Sequence, residues 1–524
     1  MNQLKRLSAL ILALVFLSAL PTYAKSGDIG YFGGITEGRR LPKTTELLLS
    51  STKVTDMTEF VYKEIIFLTG RPAEFEGLLN VRYSGSVTDT SDTGTYTVTY
   101  QVTASDTTSE GINISRNLTY LVNWRRAGSQ IIKDYDVRTW RETITIDGTT
   151  YTLDPRQSYQ NISIIEDHTA AVTYYRGDVS QRAVYTSADN DQTINEVYGS
   201  FYGYDSAWSS TETHRLDGTI YNRRRADRRS EYADIWQLQY QVRPSVSVYK
   251  TLQYTANEPT LISFDGNYKE VLINESGLFY DIFISPHEFS FDSDKTGQAN
   301  IDSFNVFEQL IAPDLTFLTG HPARADIEKL FAMQVLEGEP KFYVPSQAIT
   351  RAQFTTALVK ALKLPLIVLA EQNTGRGRQR TNTNPTIILF PDVPQTDPSF
   401  DYITTAYMAG IARGGSRGMF YADSPIETQE AVAMMVRSLG LVNLSPDPTP
   451  MTLFSDDDDI AGWARRELYA AERIGLIAPD SDGNINPKNI LSKAEAAALL
   501  NHLIEYMRAD LVLDYADRIV NITY

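Results

Sequence analysis

The last third of this 524-residue chain repeats one pattern three times, and that repetition constrains the fold more than any other feature. The first copy reads Tyr343-Val344-Pro345, then Ile349-Thr350-Arg351-Ala352-Gln353-Phe354. The second reads Phe420-Tyr421-Ala422, then Ile426-Glu427-Thr428-Gln429-Glu430-Ala431. The third reads Ile485-Asn486-Pro487, then Leu491-Ser492-Lys493-Ala494-Glu495-Ala496. Each copy runs into an apolar stretch of helical period, at 358–364, 432–441 and 497–506. Each is preceded by another helix and a glycine turn, at Glu337-Gly338, Gly410-Ile411-Ala412-Arg413-Gly414 and Gly475-Leu476-Ile477. Thr350 stands three residues before Gln353, and Ser492 three before Glu495, the spacing of a capping box that satisfies orphan amides at a helix start. Two short amphipathic helices cannot bury their apolar faces alone, whereas three such units packed about a common axis can.

The chain begins with Lys5 and Arg6, an almost wholly apolar run over 7–20, and Pro21-Thr22-Tyr23-Ala24 with a small residue for cleavage. This is the layout of a secretory signal peptide over 1–24. The apolar run falls short of the roughly 20 residues that a spanning helix needs; an uncleaved anchor is the alternative. No later stretch has that apolar length, so the mature chain is expected to be soluble or surface-attached. The absence of cysteine excludes disulfides, thiolate metal sites and cysteine nucleophiles. With 65 acidic against 48 basic residues and a net charge of -17, the chain lacks the basic footprint of a general nucleic-acid binder.

After a polar segment over 25–57 the period changes to two. Thr95-Tyr96-Thr97-Val98-Thr99-Tyr100-Gln101-Val102, Ile144-Thr145-Ile146 and Gln237-Leu238-Gln239-Tyr240-Gln241-Val242 alternate apolar or β-branched residues with polar ones. Asp147-Gly148, Asp217-Gly218 and Asp265-Gly266 read as tight turns, because both residue types tolerate positive φ. The expectation is an antiparallel, sandwich-like all-β domain over 58–300, or two such domains in series. A membrane barrel shows the same alternation, but polar residues on both faces at 206–213 and 223–230 disfavour it. The whole chain is therefore expected to be an α+β multidomain protein. Helical units are expected at 311–365, 389–445 and 452–510, with a linker at 366–388 and a tail at 511–524 whose end, 518–524, reads as a strand.

Phe390-Pro391-Asp392-Val393 opens the second copy; Phe454-Ser455-Asp456-Asp457 and Trp463-Ala464 open the third. The first has only His321-Pro322-Ala323 near the Trp-Ala position, so its start is diverged. With the Gly-Ile turn and the Ile-Thr-Arg-Ala-Gln box, these motifs resemble the S-layer homology domain family over about 200 residues, and they say nothing about the β region. The resemblance implies a pseudo-three-fold all-α bundle whose grooves bind a secondary cell-wall polymer or a peptidoglycan-linked glycan, often an acidic, pyruvylated one. It makes the arginine of the box the main ligand contact. A guanidinium at a helix start suits that role, since it grips a carboxylate with two parallel hydrogen bonds while the helix dipole favours the anion. Arg351 matches fully. Lys493 keeps the charge without the fork. Thr428 keeps neither, so one groove is expected to be weak. The implied site is Arg351, Lys493, Thr350, Asp392 and Trp463. Against it stand plainer readings: Arg351 as a surface salt bridge, and Trp463 as a residue of the bundle core.

Other candidates carry less. The acidic run Asp456–Asp459 suits a helix start better than a metal, and Asp480-Ser481-Asp482-Gly483 lacks the remaining ligands of a Ca²⁺ loop. The basic cluster over 223–229 fits either a wall polyanion or a solvated strand edge. The histidines, His168, His214, His287, His321 and His502, have no partners at ligand spacing, and no nucleophile elbow or phosphate loop occurs. Tyr198, Phe201, Tyr202 and Tyr204 stack on sugars if exposed and fill a core if not. No cofactor, metal or catalytic residue is expected. The leading reading is a secreted cell-surface or S-layer-type protein, with self-assembly possible. The alternatives are a glycan-active enzyme sited in the β domain, and an outer-envelope tether.

Overall fold

The computed structural model describes residues 33–37, 57–84, 91–105, 111–225, 232–255, 267–284, 295–302, 306–367 and 389–515. The export signal, most of the 25–57 segment and of the linker, the Asp265-Gly266 turn and the 518–524 strand lie outside the described residues.

The N-terminal body is built from β1 (Ile35–Thr36), β2 (Met57–Ile66), β3 (Ala73–Ser84), β4 (Thr93–Ser105), β5 (Asn113–Ala127), β6 (Gln130–Ile146), β7 (Thr149–Leu153), β8 (Tyr159–His168), β9 (Val172–Thr186), β10 (Gln192–Ser206), β11 (Ser209–Arg225), β12 (Tyr232–Thr255), β13 (Asn267–Ile284), β14 (Thr296–Asn300) and β15 (Val306–Ile311). Alternation made these strands. On β4, Tyr96, Val98, Tyr100 and Val102 are buried, while Thr95 and Gln101 face solvent. The outward positions of β5 are likewise mostly Asn, Ser and Thr, a polar band rather than the apolar belt of a membrane barrel.

All the strands join one antiparallel sheet in nearly sequential order. β7 and β8 both lie between β6 and β9. The sheet curls until its ends meet: Ser276 Oγ on β13 donates to the Thr36 carbonyl at 2.6 Å, and Phe67, just past β2, stacks on Tyr240 of β12 at 4.3 Å. The expected sandwich of two sheets is thus corrected to a single sheet folded onto itself, because an unbroken hairpin meander accumulates twist and never changes sheet. Asp147-Gly148 makes its turn, with φ of 50° and 78°. Asp217-Gly218 does not: it lies inside β11, opposite Tyr240, and a Cβ on Gly218 would strike that ring. The basic cluster begins at the β11 edge, where Arg223 pairs with Asp234 and Arg224 with Asp191.

The helical part comprises α1 (Arg324–Ala332), α2 (Arg351–Ala361), α3 (Phe400–Met408), α4 (Thr428–Leu439), α5 (Arg465–Arg473) and α6 (Lys493–Glu505). A π-helical turn (Tyr506–Asp510) then leads into α7 (Leu511–Asp514), so the start of the expected tail is helix. The three repeats interlock through a closed ring of backbone hydrogen bonds. Ile349 N–H donates to the Leu491 carbonyl at 3.0 Å, Leu491 to Ile426 at 3.0 Å, and Ile426 to Ile349 at 3.2 Å.

The β body seats on the far ends of the three long helices. Trp208 Nε1 donates to the Ala361 carbonyl at the end of α2, at 2.8 Å. Ala171 N–H and Tyr174 Oη donate to the Ser438 and Leu439 carbonyls at the end of α4, at 2.9 and 3.0 Å. Ser209 Oγ donates to the Met507 carbonyl. Two hairpin tips thereby satisfy helix-end carbonyls that would otherwise lack partners. Lys363, beyond α2, reaches Glu270 of β13 at 2.8 Å.

Candidate functional site

Each long helix opens with a capping box. The Thr350 hydroxyl accepts the Gln353 N–H at 3.2 Å, and the Gln353 side chain accepts the Thr350 N–H. Ser492 with Glu495 repeats this, as does Glu427 with Glu430. The residue after each cap hydrogen-bonds its backbone to the next unit. Arg351 N–H donates to Ser424 at 2.9 Å, Thr428 to Asn489 at 2.9 Å, and Lys493 to Gln347 at 2.8 Å. The same backbone joint therefore occurs three times, with three different side chains at its mouth.

At the joint between units one and two, the Arg351 guanidinium donates to Glu430 Oε1 at 2.6 Å and to the Arg413 carbonyl at 2.8 Å. It lies over the Phe420 ring at 5.0 Å. Beside it opens a cleft of about 510 Å³, lined among others by Arg351, Arg413, Arg437, Tyr421, Glu430 and Trp463. Arg437 is held by Glu467 at 2.7 Å. Burial, with the charges of Arg413 and Arg351, lowers its pKa despite that partner. Arg413 is exposed, and among the described residues its guanidinium has no ion pair. Trp463 is 52% exposed: it forms a wall of the cleft and is not a bundle-core residue.

Thr350 and Asp392 do not line this cleft. The Thr350 hydroxyl is engaged as a cap. Asp392 accepts the backbone N–H groups of Phe420, at 2.8 Å, and Tyr421. Burial alone would raise its pKa, but those donors hold it below the usual carboxylate value. They also fix Tyr421 at φ 60°, a conformation costly for a bulky residue, with its side chain on the cleft. Asp456 grips Ile485 and Asn486 in the same way, and Asn486 has φ 51°. Two more acids of that run are also committed: Asp457 to Arg465, and Asp459 to Lys488.

The joint between units three and one holds a cavity of about 100 Å³. There Lys493 Nζ donates to Gln347 at 2.8 Å and lies over Tyr343. At the joint between units two and three, the Thr428 hydroxyl is used on the Asn489 carbonyl. The sequence reading missed Arg413, Arg437 and Tyr421. The signal was present in the repeat alignment, since Arg413 occupies the position held by Glu337 in the first copy and Ala478 in the third.

In the β body, a cavity is bordered by two carboxylates, Glu64 and Glu142. Arg116 bridges them, at 2.8 and 2.7 Å. The cavity is about 40 Å³, room for a few waters rather than a sugar.

The S-layer homology domain family model matches residues 389–431 and 453–497, the second and third copies. The exoglucanase XynX of Acetivibrio thermocellus is 30% identical over 185 residues, covering 35% of this chain and 15% of that protein. A cell surface protein of Thermoanaerobacter kivui is 26% identical over 187 residues, covering 35% and 20%. An S-layer protein of Bacillus licheniformis is 27% identical over 183 residues, covering 34% and 18%. The chain thus spans a fifth or less of these curated relatives. It carries S-layer homology domains, and these place it at the cell surface, associated with the cell wall. No helix among the described residues is long and apolar enough to cross a membrane.

Proposed function

We propose that the three helical units form a pseudo-three-fold bundle that anchors the protein non-covalently to an acidic secondary cell-wall polymer, and that the cleft between units one and two is the principal binding site. The closed ring of hydrogen bonds among Ile349, Leu491 and Ile426 supports the symmetry. The observation that carries the site is that Arg351, the exposed Arg413 and Trp463 all line one cleft of about 510 Å³. Two guanidinium groups offer fork-shaped donors to a carboxylate or phosphate, and the indole offers a flat face to a sugar ring. The Lys493 joint is a weaker, secondary site, and the Thr428 joint is silent.

The β body has a structural or display role rather than an enzymatic one. The Arg116 clamp supports this, since it consumes a close carboxylate pair that borders a cavity of that body. The test is co-sedimentation of the full chain with purified wall sacculi, with and without Arg351→Ala. Reduced sedimentation of the variant is expected. Equal sedimentation would remove Arg351 as a contact, and no sedimentation of either would remove anchoring.

A further inference from the structure

The outward face of β8–β11 is divided. Near the hairpin tips it is covered by the helical part: Tyr515 packs on Tyr174, Tyr202 and Tyr204, with ring centroids 5.8, 6.0 and 5.4 Å away. Away from the tips the same face is open. Register places Tyr159, Arg182 and Glu196 side by side across β8, β9 and β10. The next outward row is Asn161, Ser180, Tyr198 and Asp217, and the one after is Ser163, Asp178, Ser200 and Arg215. Tyr198 is 53% exposed and Tyr159 42%. Arg182 and Glu196 form a salt bridge of 2.8 Å between them.

From this geometry we infer that the open face is a second carbohydrate-binding surface, one that takes a neutral polysaccharide strand rather than the acidic wall polymer. The tyrosines supply flat apolar faces for sugar C–H groups. Asn161, Ser163, Ser180 and Ser200 supply short donors and acceptors at the spacing of neighbouring strands, about 4.8 Å. Charge selects the ligand: the acids Asp178, Glu196 and Asp217 alternate with Arg182 and Arg215, so the face has no excess of cations to hold a polyanion. An apolar protein partner fits poorly, because Ser180, Asp178 and Ser200 occupy the middle of the patch, where such an interface needs its dry core, and the Arg182–Glu196 salt bridge flanks it. This surface is independent of the cleft at Arg351.

The experiment is calorimetric titration of the full chain with chitohexaose and with cellohexaose, two neutral β-linked glycans. Saturable binding of at least one is expected, weakened about tenfold or more by Tyr159→Ala/Tyr198→Ala. Ser180→Glu, which leaves both tyrosines in place, is expected to weaken it as well. Both variants should still sediment with sacculi, and Arg351→Ala should still bind the hexasaccharide, which separates this surface from the anchor. Lack of binding by the wild type, or equal binding by both variants, overturns the proposal. So does a wild-type dimer that these substitutions dissolve, which would assign the face to a second copy, or binding that appears only after residues 516–524 are removed, which would assign it to the chain's own tail.

Discussion

Arg116 and Arg351 both hold glutamates, yet their surroundings differ. Arg116 is enclosed by the β sheet, with Glu64 on one side and Glu142 on the other, and Tyr62 and Trp140 donate to those same carboxylates. Every strong acceptor nearby is consumed, and the space left is about 40 Å³. Arg351 holds a single glutamate at the mouth of a cleft more than ten times larger, and a second guanidinium, Arg413, stands beside it. Closed, the arrangement specifies a packed interior. Left open with one cation in excess, the same chemistry is suited to an external anion. The three repeat joints teach the same lesson. Their backbone hydrogen bonds are equivalent because the fold requires them, whereas Arg351, Thr428 and Lys493 differ because the backbone joint does not depend on the side chain.

The comparison breaks most easily at its closed end. Arg116→Met leaves Glu64 and Glu142 buried and uncompensated, and should cost about 3–5 kcal/mol of stability, read by denaturant unfolding. A loss below about 1 kcal/mol would mean the cluster is better hydrated than its burial indicates. At the open end, Arg351→Ala/Arg413→Ala should leave the fold intact and weaken polymer binding about 100-fold, as expected from removing charge-assisted hydrogen bonds worth about 1.5–3 kcal/mol each. An unchanged affinity would move the site elsewhere.

Smaller effects sharpen the contrast. Asp392→Asn should destabilise the Phe420–Tyr421 loop by about 1–3 kcal/mol. The folded-state pKa of Asp392 lies below its unfolded value, so its contribution is present above the ordinary carboxylate pKa and is lost as pH falls through the lowered one. Thermal unfolding of the wild type should therefore lose stability on acidification by a component that the variant lacks. Least of all, Lys493→Ala should reduce polymer affinity by less than about fivefold, since its ammonium is a partly satisfied point charge beside a cavity of only about 100 Å³.

Much of this was legible in the sequence because it is local. The alternation of 95–102 became β4, the capping boxes at Thr350 and Ser492 formed as spaced, and the repeat motifs marked the helical units. The closing of the sheet was not legible. Strand alternation says which face is buried but not which distant strand completes the layer, and Ser276 meets Thr36 across 240 residues of chain. Asp217-Gly218 misled because a turn dipeptide and a glycine that admits a neighbouring ring look alike in sequence. The sequence leaves Trp463 open between a groove wall and a core residue, because large aromatics are usually buried, and only the structure sets it on the cleft. Phe67-Leu68-Thr69-Gly70 and Phe317-Leu318-Thr319-Gly320 share a sequence because both end in a turn whose glycine has positive φ, 80° and 84°. The docking of the β body on the helix ends left no trace, since its donors at Ala171, Trp208 and Ser209 follow no periodic pattern.

The central claim is that one joint of the three carries the anchor. The most direct measurement is titration of purified acidic wall polymer into the full chain bearing either Arg413→Glu or Lys493→Glu, two single charge reversals at different joints. Binding is expected to be lost in the first and largely kept in the second. Equal losses in both, or a loss confined to Lys493→Glu, would contradict the account.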